Sequence, residues 1–233
     1  MSVLEPSCFS CRLSTYCFPP GLDKDHLYLL DSLIDKQRLF HKNEYVYREK
    51  KDFTEIFIIR TGSVKTYNIA NNGQIAITGF CYPGEILGMN AIAAKSYQEN
   101  AVALDTVSVC ALKYCEFVKL SNQFISFNQQ LIKLMSEKLA SQLITNHACS
   151  AESKIALFLL TISNKMKNYG TSGIDFSLSM SRDDIAKYLG LATETVSRIL
   201  SKFKLRKILT CSNKAVHLQD ILQLEILAAE ATL

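Results

Sequence analysis

The sequence predicts an α+β protein in three parts: a β-roll or barrel, one long helix, and a C-terminal helix-turn-helix. Three observations carry that expectation. Between Arg38 and about Leu120, short β-rich runs alternate with turn residues. From Phe124 to about His147 the apolar spacing changes to three and four. Near the C-terminus, SMSRDDIAKYLGLATETVSRILSKFKLRKIL strings together a helix cap, a glycine turn and an amphipathic helix.

The chain starts unusually, with three cysteines in the ten residues CFSCRLSTYC, 8 to 17. The opening MSVLEPSCFS has neither the basic flank nor the apolar run of a signal peptide, and runs such as Ile155 to Ile162 are too short to span a bilayer. A cytoplasmic location and no membrane partner are therefore expected. In a reducing compartment, eight cysteines argue against a disulfide framework and leave metal binding, redox chemistry or packing as their uses. FPPGL then marks a turn, and Asp23 to Lys36 has the spacing of an amphipathic helix with Leu27, Leu30 and Ile34 on one side.

The β-rich runs are EIFIIRTG, SVKTYNIA, QIAITGFCY and AVALDTVSVCAL. Gly62, Asn72-Gly73 and Pro83-Gly84 supply the backbone conformations that tight turns need. In the long helix, Ile132, Met135, Leu139 and Leu143 form a stripe that Leu131 and Leu134 widen. That face exceeds what one small roll can cover. It predicts packing on a domain partner or, more sharply, a two-stranded coiled coil with a second copy. Ser150 is placed to cap a further helix, roughly Ala151 to Asn168, which YGTSG ends.

Ser181 followed by Asp184 is a capping-box pattern, Arg182 to Leu189 makes a short helix, Gly190 stops it, and a second helix begins near Thr193. This is the helix-turn-helix layout. At roughly 100° per residue, Val196, Ile199, Leu200 and Phe203 share one side, while Glu194, Ser197, Arg198 and Ser201 share the other. The polar face suits the major groove of double-stranded DNA, where Arg grips guanine, Glu accepts from cytosine, and Ser serves either partner. Thr193 opens that face. Lys202, Lys204, Arg206 and Lys207 stand where phosphates would pass, and would position without specifying. Net charge is only +4, but Arg182, Lys187, Arg198, Lys202, Lys204, Arg206, Lys207 and Lys214 oppose just Asp183, Asp184 and Glu194 within 181–214, leaving the rest of the chain near neutral. No nucleophile with a positioned base and no paired carboxylates appear, so the chain is not expected to be an enzyme.

TETVSRIL, preceded by GSVKTYN and GQIAITGFCYPGEILG, resembles the CRP/FNR superfamily of bacterial transcription regulators over nearly the whole chain. The resemblance implies a cyclic-nucleotide-binding-like β-roll, a dimerisation helix carrying Ile132, Met135, Leu139 and Leu143, and a winged helix-turn-helix with ILTCSNKAVHL as the wing. It also implies a homodimer on palindromic promoter DNA and RNA polymerase as a partner. The corresponding divisions are 1–22 for the cysteine segment, 23–122 for the roll, 123–148 for the dimerisation helix and 149–233 for the DNA-binding domain. In the cyclic-AMP-binding branch an Arg-Ser pair after the PGE-x-x-G turn holds the cyclic phosphate. Here Glu99-Asn100 stands in that place, and a carboxylate would repel it, so cyclic AMP is not expected to bind. Glu194, Ser197 and Arg198 form the E-x-x-S-R pattern of the FNR branch (fumarate and nitrate reduction regulators), which implies inverted half-sites resembling TTGA.

That branch implies an oxygen-labile 4Fe-4S cluster on Cys8, Cys11 and Cys17, spaced C-x2-C-x5-C, with Cys110 of SVCAL as fourth ligand, one thiolate per iron. The expected function is a regulator responding to oxygen or nitric oxide. Zinc is the main rival, since four-cysteine zinc sites use the same C-x2-C start. Cys115 or Cys81 could replace Cys110; a clusterless thiol switch and an iron-sulfur electron-transfer protein are further alternatives. Otherwise Cys81, Cys115, Cys149 and Cys211 read as packing residues, and His26, His41, His147 and His217 are scattered. Three positions depart from the family pattern. Arg12 and Tyr16 replace a small polar and an aliphatic residue beside the cysteines, and the loop Asn71 to Gln74 lacks the acidic residues that family members present to RNA polymerase.

Overall fold

A computed structural model describes residues 7–13, 17, 24–70, 72–146 and 150–229. Tyr16, Asn71, His147, Cys149 and the side chain of Leu143 lie outside the described residues. The chain divides into two units, one of residues 1–74 with 78–135 and one of 75–77 with 136–233.

The roll is built from eight strands: β1 (Asp35–Phe40), β2 (Tyr45–Tyr47), β3 (Glu55–Thr61), β4 (Val64–Ile69), β5 (Ile75–Cys81), β6 (Ile86–Leu87), β7 (Asn100–Ala103) and β8 (Val107–Lys113). They form two four-stranded sheets, ordered β1-β8-β3-β6 and β2-β7-β4-β5. Phe57 and Ile59 of β3 and Val107, Val109 and Ala111 of β8 meet Val46, Val64, Ala101 and Ala103 of the other sheet in the inner core. The intervening residues of the same strands, Ile56, Ile58 and Leu112, point the other way. There they meet Leu30, Ile34, Phe117, Leu120 and Phe127 in a second core. Two buried faces explain why EIFIIRT is almost continuously apolar, since a strand with one wet face would alternate. At Gly62 (φ 82°) a Cβ would stand 2.4 Å from the Thr106 carbonyl oxygen, so only glycine makes this turn.

Three expectations need correction. The first helix, α1 (Lys24–Leu33), stops short of Lys36 because Ile34 is buried and Asp35 already pairs with Ala111 of β8. AVALDTVSVCAL is two strands, broken where Asp105 accepts hydrogen bonds from the Ser63 N–H (2.8 Å) and hydroxyl (2.9 Å). The roll ends at Lys113, not near Leu120, because α2 (Tyr114–Gln123) follows and buries Phe117 and Leu120 at helical spacing.

The long helix, α3, runs Ile125–Asn146. Phe127 is fully buried, yet Ile132 is 66%, Met135 47% and Leu139 61% exposed within the single chain. Ile125, Ile132 and Leu139 recur at heptad spacing, with Met135 between, the spacing that a two-stranded coil requires.

The second unit contains α4 (Ala151–Asn168), β9 (Asp175–Ser177), α5 (Arg182–Leu189), α6 (Thr193–Leu205), β10 (Leu209–Ser212), β11 (Ala215–Leu218) and α7 (Ile221–Ala229). As expected, Ser150 caps α4 by accepting from Ser153 N–H at 3.0 Å, and Ile155, Leu159 and Ile162 bury its inner face. The three-stranded sheet β10-β11-β9 contains the hairpin predicted as the wing. No described helix is long and apolar enough to cross a membrane.

The capping box is complete: the Ser181 hydroxyl accepts from Asp184 N–H at 3.0 Å, and the Asp184 carboxylate accepts from Ser181 N–H at 3.1 Å. Ser181→Ala removes one arm and is expected to cost about 1 kcal/mol of stability, read as a lower urea midpoint.

Candidate nucleic-acid interface and cysteine site

Gly190 (φ 66°, ψ 41°) ends α5 in the left-handed conformation, and Leu191 N–H returns to the Ala186 carbonyl at 2.9 Å. The turn throws α6 across α5. Val196, Ile199, Leu200 and Phe203 are buried, while Glu194, Ser197, Arg198, Ser201 and Lys202 are exposed. The helix therefore presents the face expected from its periodicity. Thr193 is half-buried, its hydroxyl 3.4 Å from Asp183, and Ser201 turns its hydroxyl back onto the Ser197 carbonyl at 2.9 Å. Arg182 reaches from the start of α5 to the Cys211 sulfur at 3.5 Å, tying the helix to the wing. An open recess of about 590 Å³ lies between the start of α4 and α6, lined by Ser150, Glu152, Thr195, Arg198 and Lys202. Nothing in the spacing of the sequence flagged Glu152, which meets Lys202 from 50 positions away.

The cysteines sort by strand parity. Cys110 shares the outer face of β8 with Leu112, opposite Ile58 of β3, and packs with Cys8 and Cys17 against the second core. Cys81 lies on the other side, in the inner core. Cys115 is exposed on α2, its sulfur 3.8 Å from Glu116. The Cys8 thiol is pushed well above its usual value, chiefly by burial and then by Asp31, with Cys110 and Cys17 adding to it. Burial likewise pushes Cys110 up to about 11, against the opposing charge of Arg60 and with Cys11 close enough to contribute. The structure thus gathers Cys8, Cys11, Cys17 and Cys110 in one half-buried region. Among the described residues, no three His, Cys, Asp or Glu side chains close on a single metal ion as they stand.

Asp31 of α1 holds this segment, a role the sequence did not suggest. It accepts from Cys8 N–H at 2.6 Å and from the Ser7 hydroxyl at 3.4 Å, while Lys36 pairs with its other oxygen at 2.6 Å. Phe9 packs on Tyr28 with ring centres 4.4 Å apart, Leu13 is buried, and Gln130 of α3 donates to the Cys17 carbonyl at 3.4 Å. Arg12 is exposed. Cys8, Cys17 and Cys110 pack on one apolar floor, and Cys11, Lys36 and Arg60 lie close enough to Cys110 to act on its charge; four thiolates are the donor type that a four-iron cluster takes.

Inside the roll, Glu99 is buried and accepts from the Thr78 hydroxyl and from Asn90 at 3.0 Å. Burial, then the nearby Glu99 charge, pushes the Tyr47 hydroxyl well above its ordinary range.

A roll of this kind followed by a winged helix-turn-helix defines a class, the transcription regulators that join a sensor domain to a DNA-reading one. Residues 37–124 match the cyclic nucleotide-binding domain family and residues 153–227 the Crp-like helix-turn-helix domain. The transcriptional activator protein Anr of Pseudomonas aeruginosa is 34% identical over 227 residues, covering 96% of this chain and 93% of that protein. The electron transport regulator A of Shewanella oneidensis is 33% identical, covering 96% and 91%. The anaerobic regulatory protein of Aggregatibacter actinomycetemcomitans is 30% identical, covering 93% and 86%. Among solved structures, FixK2 from Bradyrhizobium japonicum has a TM-score of 0.73 at 26% identity, covering 82% of this chain and 96% of that one. The chain belongs to the CRP/FNR superfamily, in its FNR branch, and is a DNA-binding transcription regulator.

Proposed function

We propose that this protein is an iron-sulfur-dependent regulator that responds to oxygen or nitric oxide and binds inverted TTGA-type sites as a homodimer. The observation that carries the reading is the gathering of Cys8, Cys11 and Cys17 beside Cys110, with Cys115 and Cys81 left elsewhere. A 4Fe-4S cluster bound by those four thiolates would supply oxygen-sensitive redox chemistry at this place. The surrounding residues do the rest. Asp31, Leu13 and the Phe9–Tyr28 contact dock the cysteine segment, and Gln130 connects the docked segment to α3.

Undocking the segment removes the Cys17 carbonyl that Gln130 bonds and uncovers part of the second core on which α3 also packs. The position of the helix that carries Ile132, Met135, Leu139 and Leu143 then depends on whether the segment is seated. A dimer places two α6 helices in successive major grooves about 34 Å apart, so occupancy of a palindrome follows the dimer fraction. Thr193, Glu194, Ser197 and Arg198 would face base edges, with Lys202 at the backbone. RNA polymerase is the expected partner of the DNA-bound dimer. Glu99 opposes a cyclic phosphate in the roll.

The test is an absorption spectrum with iron, sulfide and zinc assays on protein purified without oxygen, repeated in air. Brown protein with about four irons per chain that bleaches in air, and loses affinity for a TTGA palindrome as it does, is the expected result. Zinc without iron or sulfide would replace this reading with the thiol-switch or zinc-site regulator.

A further inference from the structure

We infer that Glu152 is an electrostatic brake on DNA binding, a carboxylate that lowers the sequence-independent attraction of the recognition helix. The inference deepens the proposed DNA-reading role of α6 and rests on it. Glu152 sits in the first turn of α4, where a negative side chain is favoured by the helix dipole. One carboxylate oxygen accepts from the Lys202 ammonium, and the other lies 3.9 Å from Arg206 Nη1. Both cations belong to the α6 end that would meet phosphate. Lys154, on the same turn, does not compete with Lys202 for Glu152, because its ammonium is turned to the Leu189 carbonyl at 3.2 Å. Glu152 also lines the recess beside Thr195 and Arg198. Its side chain keeps 29% of its surface open to solvent. A DNA backbone reaching Lys202 therefore meets a carboxylate at the same place.

The energetic consequence has a definite sign. An ion pair this exposed contributes little to stability, so its removal leaves the fold intact. Against a polyanion the same carboxylate has two effects: it neutralises Lys202 and it repels phosphate directly. Neither effect depends on base sequence, since among the described residues Glu152 pairs with Lys202 and Arg206 and forms no hydrogen bond or ion pair with Glu194, Ser197 or Arg198. Removing the charge should strengthen binding to every duplex alike and make it more salt-sensitive, because more phosphate charge is neutralised and more counterions are released.

The experiment is fluorescence anisotropy on the full-length protein, purified without oxygen, with a TTGA inverted-repeat duplex and a scrambled duplex of equal length over about 50–200 mM salt. Glu152→Gln keeps the shape and is expected to tighten both duplexes about 2- to 5-fold per subunit at low salt. It should also steepen the slope of log K against log salt by about 0.9 per subunit, the advantage vanishing as salt rises. Glu225→Gln makes the same change in net charge on α7 and is expected to do neither. Glu152→Asp keeps the carboxylate charge beside the α6 end and should bind much closer to the wild type than Glu152→Gln does, since the repulsion of phosphate is retained. Weaker binding by both Glu152 variants would make Glu152 a clasp that positions Lys202 and would overturn the brake, as would unchanged binding by Glu152→Gln. If the wild type binds neither duplex, the DNA-reading role of α6 falls first and the inference with it.

Discussion

Arg198→Ala is expected to lose most of the discrimination between a TTGA palindrome and a scrambled duplex. Arg198 is exposed on α6 between Glu194 and Lys202, on the face opposite the buried Val196, Ile199, Leu200 and Phe203. A bidentate arginine–guanine contact contributes about 1–3 kcal/mol of base discrimination. Used twice on a palindrome, its loss amounts to about 2–6 kcal/mol, or roughly 30- to 10⁴-fold in affinity. Binding to the scrambled duplex should fall far less, because backbone contacts carry no sequence information. The thermal midpoint should not move, since the side chain has left no core to repack. Anisotropy titrations on both duplexes measure the difference; a variant that still prefers the palindrome as strongly as wild type would remove Arg198 from the reading face.

Cys110→Ser is expected to lose iron almost completely, while Cys115→Ser keeps a wild-type complement of about four per chain. The two positions are five residues apart, but the chain separates them. Cys110 faces the second core from β8, beside Cys8 and Cys17, whereas Cys115 is exposed on α2 next to Glu116. Serine preserves the volume of the thiol and leaves β8 paired with β3 and β1, so a fall in iron reports on ligation, not on folding. Iron and sulfide assays on anaerobically purified variants, with circular dichroism as the folding control, decide it. Retention by Cys110→Ser and loss by Cys115→Ser would move the fourth ligand to α2.

What the sequence made legible was local. The helix-turn-helix could be read because its signals lie within Ser181 to Leu205: a cap with its partner three residues on, a glycine at the turn, and a 3.6-residue period. Cys110 could be set beside the N-terminal cysteines only through family resemblance, because nothing near SVCAL announces a ligand. The break in AVALDTVSVCAL was missed because it contains neither glycine nor proline. Asp105 makes it by capturing Ser63, 42 positions away. The ties from Asp31 to Cys8 and from Glu152 to Lys202 cross 23 and 50 positions, so no window along the chain contains both partners. The α2 error has a different cause. Phe117 and Leu120 carry helical spacing, but it begins directly after Lys113 with no turn residue to mark the change.

Strand β8, with apolar neighbours on both faces, also limits how this protein can vary. Side chains alternate along a strand, so Cys110 is tied by odd-and-even counting to Val109 and Ala111 on either side of it. Deleting or inserting a single residue within β8 would turn the thiol into the roll and swap residues fitted to one core into the other. A change of two residues would keep it on its face but slide it away from the N-terminal cysteines. The Cys110 thiol can therefore drift neither gradually nor alone, and length changes should be confined to the loops that bracket the strand.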